Sequence, residues 1–414
     1  MLIRIHVKEA KLGMYIHEVC GSWLEHPFWK SHFLLDSAAD LKRLKGSGVT
    51  EIWIDDTKGK SPERKSDSMT ELEATASVDA ILAVQEEAQH VAEVLTELHA
   101  SPKKLSVADE MKQAEDVCHH AEEQVKHLFT QARLGKALDK EGSLNIVAEI
   151  SNSIFRNQNA LISLARIKTK DDYTYLHSVA VCALMISLAR QLKLDEKLIQ
   201  LAGLGGLLHD IGKIRIPLSV LNKPSSLTEE EFAVIQGHPS AGYNILKQGG
   251  DFPEEVMDVC LHHHEKMDGS GYPDKLGANQ ISLMAKMGAV CDVYDAITSD
   301  RPYKAGWRPG TAIRKMAEWS KGHFDEKIFH AFVKALGIYP TGSLVKLSSG
   351  HLAVVCDQEE GALLKPVVKL VYSIHQEQRI DPEHMNLSHH DHEIVSQEDP
   401  AKWGFEDIDS LWRD

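Results

Sequence analysis

The sequence predicts a mainly α protein: an all-helical central domain, a small β-rich domain before it and a short β addendum after it. Three observations carry that expectation. Apolar residues recur three and four apart through most of the stretch from about residue 78 to 336. The first 60 or so residues instead hold short runs rich in Ile, Val, Phe and Trp, with turn-type residues between them. After YPTGSLV the apolar period returns to two.

Taken in order, IRIHV, FLL and EIWID read as strands of a domain placed at residues 1–65. Its one helical patch, SAADLKRLKGSG, opens with a Ser cap and stops at Gly. DDTKGKSPERKSDSMTELEA is charged and polar with few large apolar residues, which marks a linker. A linker and helical region is placed at 66–165. There VDAILAVQEEAQHVAEVLTELH and DEMKQAEDVCHHAEEQVKHLFTQAR repeat an amphipathic spacing on either side of a break at SPKK. They suit bundle helices or a dimerising arm, so a homodimer is one expectation. His119 and His120 in the second run read as a solvated helix face rather than as ligands.

Residues 166–340 carry helix signals with motif-bearing loops between them. LHSVAVCALMISLARQLKL is strongly apolar, and LIQLAGLGGLLHDIGK is a second helix whose expected stop is Gly212. SLTEEEFAVIQGH has a capping-box start, and PEEVMDVCLHHHE places Pro at a first turn. In the last region, 341–414, LVKLSSGHLAVVCDQ and LKPVVKLVYS read as a hairpin. The tail from about residue 378 reads as acidic, polar and loose, with SHHDHE (Ser388 to Glu393) a solvated stretch.

The bulk numbers bound the function. A chain of 414 residues is a prior for two or three domains, and 43% hydrophobic with 26% charged residues is ordinary for a globular protein. The formal charge of −15 argues against binding a nucleic acid polymer, but not against a small anionic ligand held by metal ions and a few cations. Six scattered cysteines without a CxxC pair read as reduced thiols. The N-terminus has no apolar signal region, and no stretch reaches the roughly 18 apolar residues of a spanning helix. The expectation is a cytoplasmic protein without a membrane span.

Two short stretches carry chemistry: HDIGKIRIP, His209 to Pro217, and HHHEKMDGSGYP, His262 to Pro273. Adjacent helical residues point about 100° apart, so a His-Asp doublet suits a shared edge between metals better than one compact tetrahedral site. The aspartate has two oxygens and can bridge two ions. Alone, the doublet is weak. His177 near the start of an apolar helix would by itself be a satisfied core residue, and His238 before Pro239 a helix-start residue. His263 and His264 would complement a helix C-terminus. Asp292 sits in the apolar segment LMAKMGAVCDVYDAI, where an ionised carboxylate is costly unless paired or metal-bound. Each bland reading is respectable, but all of them holding together within one domain is a poor bet. Five imidazoles and two carboxylates exceed one structural zinc and suit two octahedral ions with open positions for water. Nitrogen and oxygen ligands without thiolates fit iron, manganese, nickel or zinc. The expectation is two divalent transition-metal ions, iron or manganese ahead of nickel or zinc. Two such ions activate water and clamp a phosphoryl group.

HDIGK followed by HHExxDGxGYP resembles the HD-GYP family, bacterial metal-dependent phosphodiesterases of cyclic di-GMP within the HD superfamily. The resemblance covers roughly residues 166–340. The β-rich start, RIHVKEAKLGMYI, is similar to a small domain often found ahead of such domains. The resemblance implies metal ligation by His177, His209, Asp210, His238, His263, His264 and Asp292. It makes Asp210 the bridge of the catalytic centre and turns Lys213 toward the scissile phosphate as a catalytic and substrate-binding cation. It places Tyr272 of the Gly-Tyr-Pro loop beside the substrate, Arg301 and Lys304 on the second phosphate, and the loop itself in contact with other signalling proteins. From the residues alone, Asp268, Gly269, Gly271, Tyr272 and Pro273 read as a turn needing positive φ. The implied reaction linearises cyclic di-GMP to pGpG and continues to GMP. Rival readings are a cyclic-dinucleotide sensor without turnover and a phosphodiesterase for another nucleotide such as cyclic GMP-AMP. Some family members bind a third metal through a glutamate four residues before the first histidine. That position here is Tyr173, flanked by the off-register Asp171 and Asp172, so two metals are expected.

Overall fold

The computed structural model describes residues 2–20, 33–45, 51–55, 58–60, 103–166, 173–223, 225–299, 306–358, 362–405 and 408–413. Most of the linker, from Ser61 on, and the first amphipathic run lie outside them. The chain divides into two compact units, residues 1–80 and 81–414.

In the first unit β1 (Leu2–His6), β2 (Tyr15–Cys20), β3 (Phe33–Leu34) and β4 (Glu51–Asp55) form an antiparallel sheet in the order β1-β4-β2-β3. One helix, α1 (Ala38–Lys45), accompanies it. Ile52 and Ile54, two apart on β4, point to one side and join Ile5, Ile16, Leu35 and Leu44 in a closed apolar core. Strand β2 escaped the period-two reading because its register shifts between Ile16 and Glu18, which breaks the alternation.

The second unit is built around one helix. In order come α2 (Val107–Arg133), α3 (Lys140–Arg166), α4 (Tyr173–Gln191), α5 (Glu196–Leu208), a 3-10 turn (Ile211–Arg215), and α6 (Leu218–Leu221). They are followed by α7 (Glu229–Gln236), α8 (His238–Gly249), α9 (Glu254–His262), α10 (Leu283–Thr298), α11 (Pro309–His323) and α12 (Glu326–Leu336). Local chemistry starts several of these helices. Asp195 and Ser282 accept the N–H groups of Leu198 and Ala285, and Thr228 with Glu231 closes the expected capping box. Helix α4 is buried on every side from Leu176 to Ala189, packed against α3, α5 and α10, as a helix apolar all round must be. Each fully buried Val, Leu or Ile there contributes roughly 1.5–3 kcal/mol relative to exposure.

Helices α4 and α5 meet backbone to backbone. A Cβ on Gly206 would sit 2.9 Å from the Val181 carbonyl oxygen and from Cys182 Cα. Glycine inside a helix costs roughly 0.5–1 kcal/mol relative to alanine; here it lets the helix bearing His177 reach the exit of α5. A side chain at Gly206 would force the two helices apart.

The C-terminal region departs from the expectation of a hairpin and a loose tail. Strands β5 (Leu344–Leu347), β6 (His351–Asp357), β7 (Val367–Ser373), β8 (Gln378–Asn386) and β9 (Ile394–Gln397) form one antiparallel sheet in the order β8-β7-β6-β5-β9. A short helix, α13 (Asp409–Arg413), follows. Most side chains of β8 are exposed, so its polar sequence hides a strand that backbone pairing to β7 defines. Leu387 is fully buried in the sheet core, and Trp403 and Phe405 pack on Tyr372. The SHHDHE stretch lies between β8 and β9 and is largely solvated. No helix among the described residues is long and apolar enough to cross a membrane.

Candidate metal centre

Five elements deliver the side chains. His177 comes from the first turn of α4, His209 and Asp210 from the exit of α5, and His238 from the first residue of α8. His263 and His264 follow the last turn of α9, and Asp292 lies mid-way along α10. The doublet is not inside a helix, and Gly212 is not its stop. Helix α5 ends at Leu208, and Asp210 has already left helical geometry at φ −99°, ψ 7°. Gly212 is required by contact instead: a Cβ there would collide with the His238 carbonyl oxygen and the Gly242 backbone. That contact holds the start of α8, and so His238, against the segment carrying Asp210.

The seven residues assemble into two adjoining pockets. In the first, His177 Nε2 lies 3.2 Å from His209 Nε2, 3.1 Å from Asp292 Oδ1 and 3.3 Å from Asp210 Oδ2. In the second, His238 Nε2 lies 3.3 Å from His263 Nε2 and 3.2 Å from Asp210 Oδ1. His264 completes it, near enough to both histidines for one ion to touch all three. Asp210 therefore offers one oxygen to each pocket. His264 Nδ1, 3.7 Å from Asp292 Oδ2, links the two from the side.

Hydrogen bonding explains why these pockets suit cations. The Nδ1 atoms of His209 and His238 lie 2.7 and 2.8 Å from the carbonyl oxygens of Gly206 and Ile235. That of His263 lies 3.1 and 3.0 Å from those of Val259 and Cys260. A ring that donates from Nδ1 to a carbonyl turns an Nε2 lone pair inward. His209, His238 and His263 thus turn Nε2 lone pairs toward the pockets. Asp210 Oδ1, completely buried, accepts no hydrogen bond. Such an arrangement is repulsive until a cation occupies its centre. Nitrogen and carboxylate donors without thiolate fit a borderline transition metal.

The electrostatics follow from burial and crowding. Burial opposes it, but the Asp210, Asp292 and Asp295 carboxylates push the His177 pKa up to about 10. Burial and then His209 and His238 push His263 down to about 3. His264 is held well below its ordinary value by burial and by His263. Against burial, Lys213 and His209 hold the Asp210 carboxyl well below the usual range, as His177 and His264 do for Asp292.

Lys213 lies in the 3-10 turn, half-buried, with its ammonium on Asp210 Oδ2. Tyr272 packs its ring, tilted, against His264, centroids 4.7 Å apart at 31°, with Phe232 edge-on at 6.4 Å. In the loop itself, Gly269 has the positive φ (75°) that the turn reading expected. Gly271 does not: it is glycine because a Cβ would lie 2.5 Å from Glu265 Cα and Lys266 N. Arg301 and Lys304 lie outside the described residues, as do Asp171, Asp172 and the side chain of Tyr173.

Three further residues, one touching this centre and two beside it, were not singled out from the sequence. Asp295 Oδ2 lies 2.6 Å from His177 Nδ1, and both are buried. That contact fixes the ring so that Nε2 points into the first pocket. The signal was the three-residue spacing from Asp292, which puts both carboxylates on one face of α10. Glu265 is buried, and its oxygens accept the N–H groups of Asp274 (2.7 Å) and Leu276 (3.0 Å). His262, half-buried, lies between Asp258 (2.6 Å) and Asp274 (3.0 Å).

Comparison with known proteins fits this geometry. Residues 149–328 match the HD domain, and residues 2–142 match a domain of unknown function, DUF3391. The chain is 49% identical over 416 aligned residues to the cyclic di-GMP phosphodiesterase PA4108 of Pseudomonas aeruginosa, covering 100% of this chain and 96% of that protein. It is 37% identical over 193 residues to the cyclic di-GMP phosphodiesterase response regulator RpfG of Xanthomonas campestris pv. campestris, covering 46% of this chain and 50% of that one. Among solved structures, Bd1817, an HD-GYP-type protein from Bdellovibrio bacteriovorus, aligns over 80% of this chain and 98% of its own, with TM-score 0.47 and 18% identity.

Proposed function

The chain belongs to the HD-GYP family of the HD superfamily, and on that premise we propose that it is a metal-dependent phosphodiesterase hydrolysing cyclic di-GMP to pGpG. The single observation that carries the reading is Asp210, buried, with one oxygen turned to each of two lone-pair-lined pockets. His177, His209 and Asp292 would hold one divalent ion, and His238, His263 and His264 the other. Iron or manganese is the expected metal. Two ions held by these residues would supply an activated water and positive charge on the phosphoryl oxygens.

The chain's own groups do the rest. Asp295 holds His177 in the ligating tautomer, and backbone carbonyls do the same for His209, His238 and His263. Lys213, beside the shared carboxylate, is placed to stabilise charge that develops on the phosphoryl group. Tyr272 offers an aromatic face at the edge of the second pocket, suited to packing against the substrate. Arg301 and Lys304 are assigned to the phosphate that is not cut, where the guanidinium can grip with two parallel N–H bonds. With tyrosine at position 173, two ions per chain are expected rather than three.

The deciding experiment is chromatography of pGpG and GMP released by full-length protein of measured iron and manganese content. The expected outcome is pGpG release that scales with metal content up to two ions per chain. Tight cyclic di-GMP binding without turnover in fully loaded protein would make it a sensor. Faster hydrolysis of cyclic GMP-AMP would reassign the substrate, and three ions per chain would overturn the binuclear assignment.

A further inference from the structure

The run HHHE, His262 to Glu265, divides its labour in the fold. The inner pair, His263 and His264, faces the second pocket. The outer pair faces away from it and converges on one residue of the Gly-Tyr-Pro loop, Asp274. Glu265 Oε1 accepts the Asp274 N–H at 2.7 Å, and its other oxygen accepts the Leu276 N–H at 3.0 Å. His262 Nε2 reaches the Asp274 carboxylate at 3.0 Å, while His262 Nδ1 is held by Asp258 at 2.6 Å. Asp258 is in turn bonded by Ser282, the cap of α10. Helix ends do not supply this by default. After a last turn at His262 the chain would ordinarily leave toward solvent, yet here a buried carboxylate and a half-buried imidazole both draw the loop back.

The loop has little room to take another path. The Tyr272 N–H donates to the His264 carbonyl at 3.3 Å, and Gly271 lies against the backbone of Glu265 and Lys266. On its far side the Asp268 N–H donates to the Gly322 carbonyl at 2.9 Å. The result is a Tyr272 ring packed at a tilt against His264, centroids 4.7 Å apart.

We propose that His262 and Glu265 are positioning residues for the reaction: they clamp the loop at Asp274 and so set the Tyr272 face against the metal-facing His264. The inference rests on the substrate reading above, in which a cyclic dinucleotide lies over Tyr272. It assigns no chemistry to either residue. Its consequence is selective: a loosened loop should impair capture of a large cyclic dinucleotide more than cleavage of a small diester that needs only the metals.

Two measurements on full-length, metal-loaded protein test it. The first is hydrogen exchange resolved to the Asp274 and Leu276 amides. Glu265→Gln should speed both by about tenfold or more, the size expected when a charged acceptor is lost. The second is steady-state kinetics on cyclic di-GMP and bis(p-nitrophenyl) phosphate. Glu265→Gln should raise KM for cyclic di-GMP by about tenfold with kcat and metal content near wild type, while the small diester changes by less than about twofold. Asp274→Ala removes only the His262 contact from a side chain that is 54% exposed, so its fold is secure, and it should shift both readouts in the same direction by a smaller factor. Unchanged exchange in both variants, or equal losses on the two substrates, overturns the clamp. Wild-type protein that cleaves the small diester but not cyclic di-GMP would refute the substrate reading instead, and the exchange result would still decide the clamp.

Discussion

The two pockets of the centre use the same kind of ligand and back it with different groups. His177 in the first is held by a buried carboxylate, Asp295, and shares its pocket with Asp292 and one oxygen of Asp210. His238 and His263 in the second are held by peptide carbonyls, and their pocket has the other Asp210 oxygen at 3.2 Å and Asp292 only from the side, 3.7 Å from His264. A divalent ion in the first pocket therefore meets more anionic charge, and its histidine is made more basic by the partner behind it. The difference teaches that two pockets joined by one carboxylate need not be symmetric. The expected behaviour is stepwise: a chelator strips the second pocket before the first.

The largest effect should come from the residue the pockets have in common. Asp210→Ala removes a ligand from both, so metal content and turnover should be lost together. Elemental analysis beside the assay decides it; two ions retained in the variant would break the shared-bridge reading. Next comes Lys213→Ala. Its ammonium sits on the first-pocket oxygen of Asp210 without ligating anything, so the metals should remain while kcat falls about 10²-fold, as when an oxyanion donor is removed. A wild-type rate would remove Lys213 from the chemistry.

Asp295→Asn sharpens the comparison itself. The amide keeps the shape but not the charge, so affinity of the first pocket alone should drop about 10- to 100-fold. Chelator competition should then show the order of release narrowing or inverting. Equal weakening of both pockets would mean that Asp295 acts on the fold rather than on His177.

How much of this was legible in the sequence depends on what kind of signal each part carries. The residues that gather in the two pockets were legible because His and Asp are costly in apolar helices, and a residue such as Asp292 inside LMAKMGAVCDVYDAI announces its cost. The backing groups were legible only in part. Asp295 lies one helical turn from Asp292, but carbonyls have no sequence letter, so the contrast between the pockets could not be read. Gly212 illustrates the same limit: a glycine after a helix looks like a stop, and the collision with His238 that requires it lies between segments far apart in the chain. Strand β8 was missed because QRIDPEHMN carries no apolar alternation, and its pairing partner β7 supplies what its own side chains do not.

The smallest expected effect is the most selective one. In the proposed reaction both pockets would engage only the phosphate being cut, and the second phosphate of a cyclic dinucleotide needs its own partner or its desolvation goes uncompensated. Arg301 is assigned to it. The described residues on either side are tethered to each other, since the Trp307 N–H donates to the Ile297 carbonyl at 2.7 Å, and Ile297 belongs to the helix that carries Asp292. Arg301→Ala should weaken cyclic di-GMP turnover at low substrate by about tenfold, the loss of one charged hydrogen bond, with metal content unchanged. Bis(p-nitrophenyl) phosphate, which has a single diester, should be cleaved nearly as before. A guanidinium that merely pairs with solvent predicts no difference between the two substrates. Equal losses on both would move Arg301 to the scissile phosphate, where it would act on the same group as the two pockets rather than beyond them.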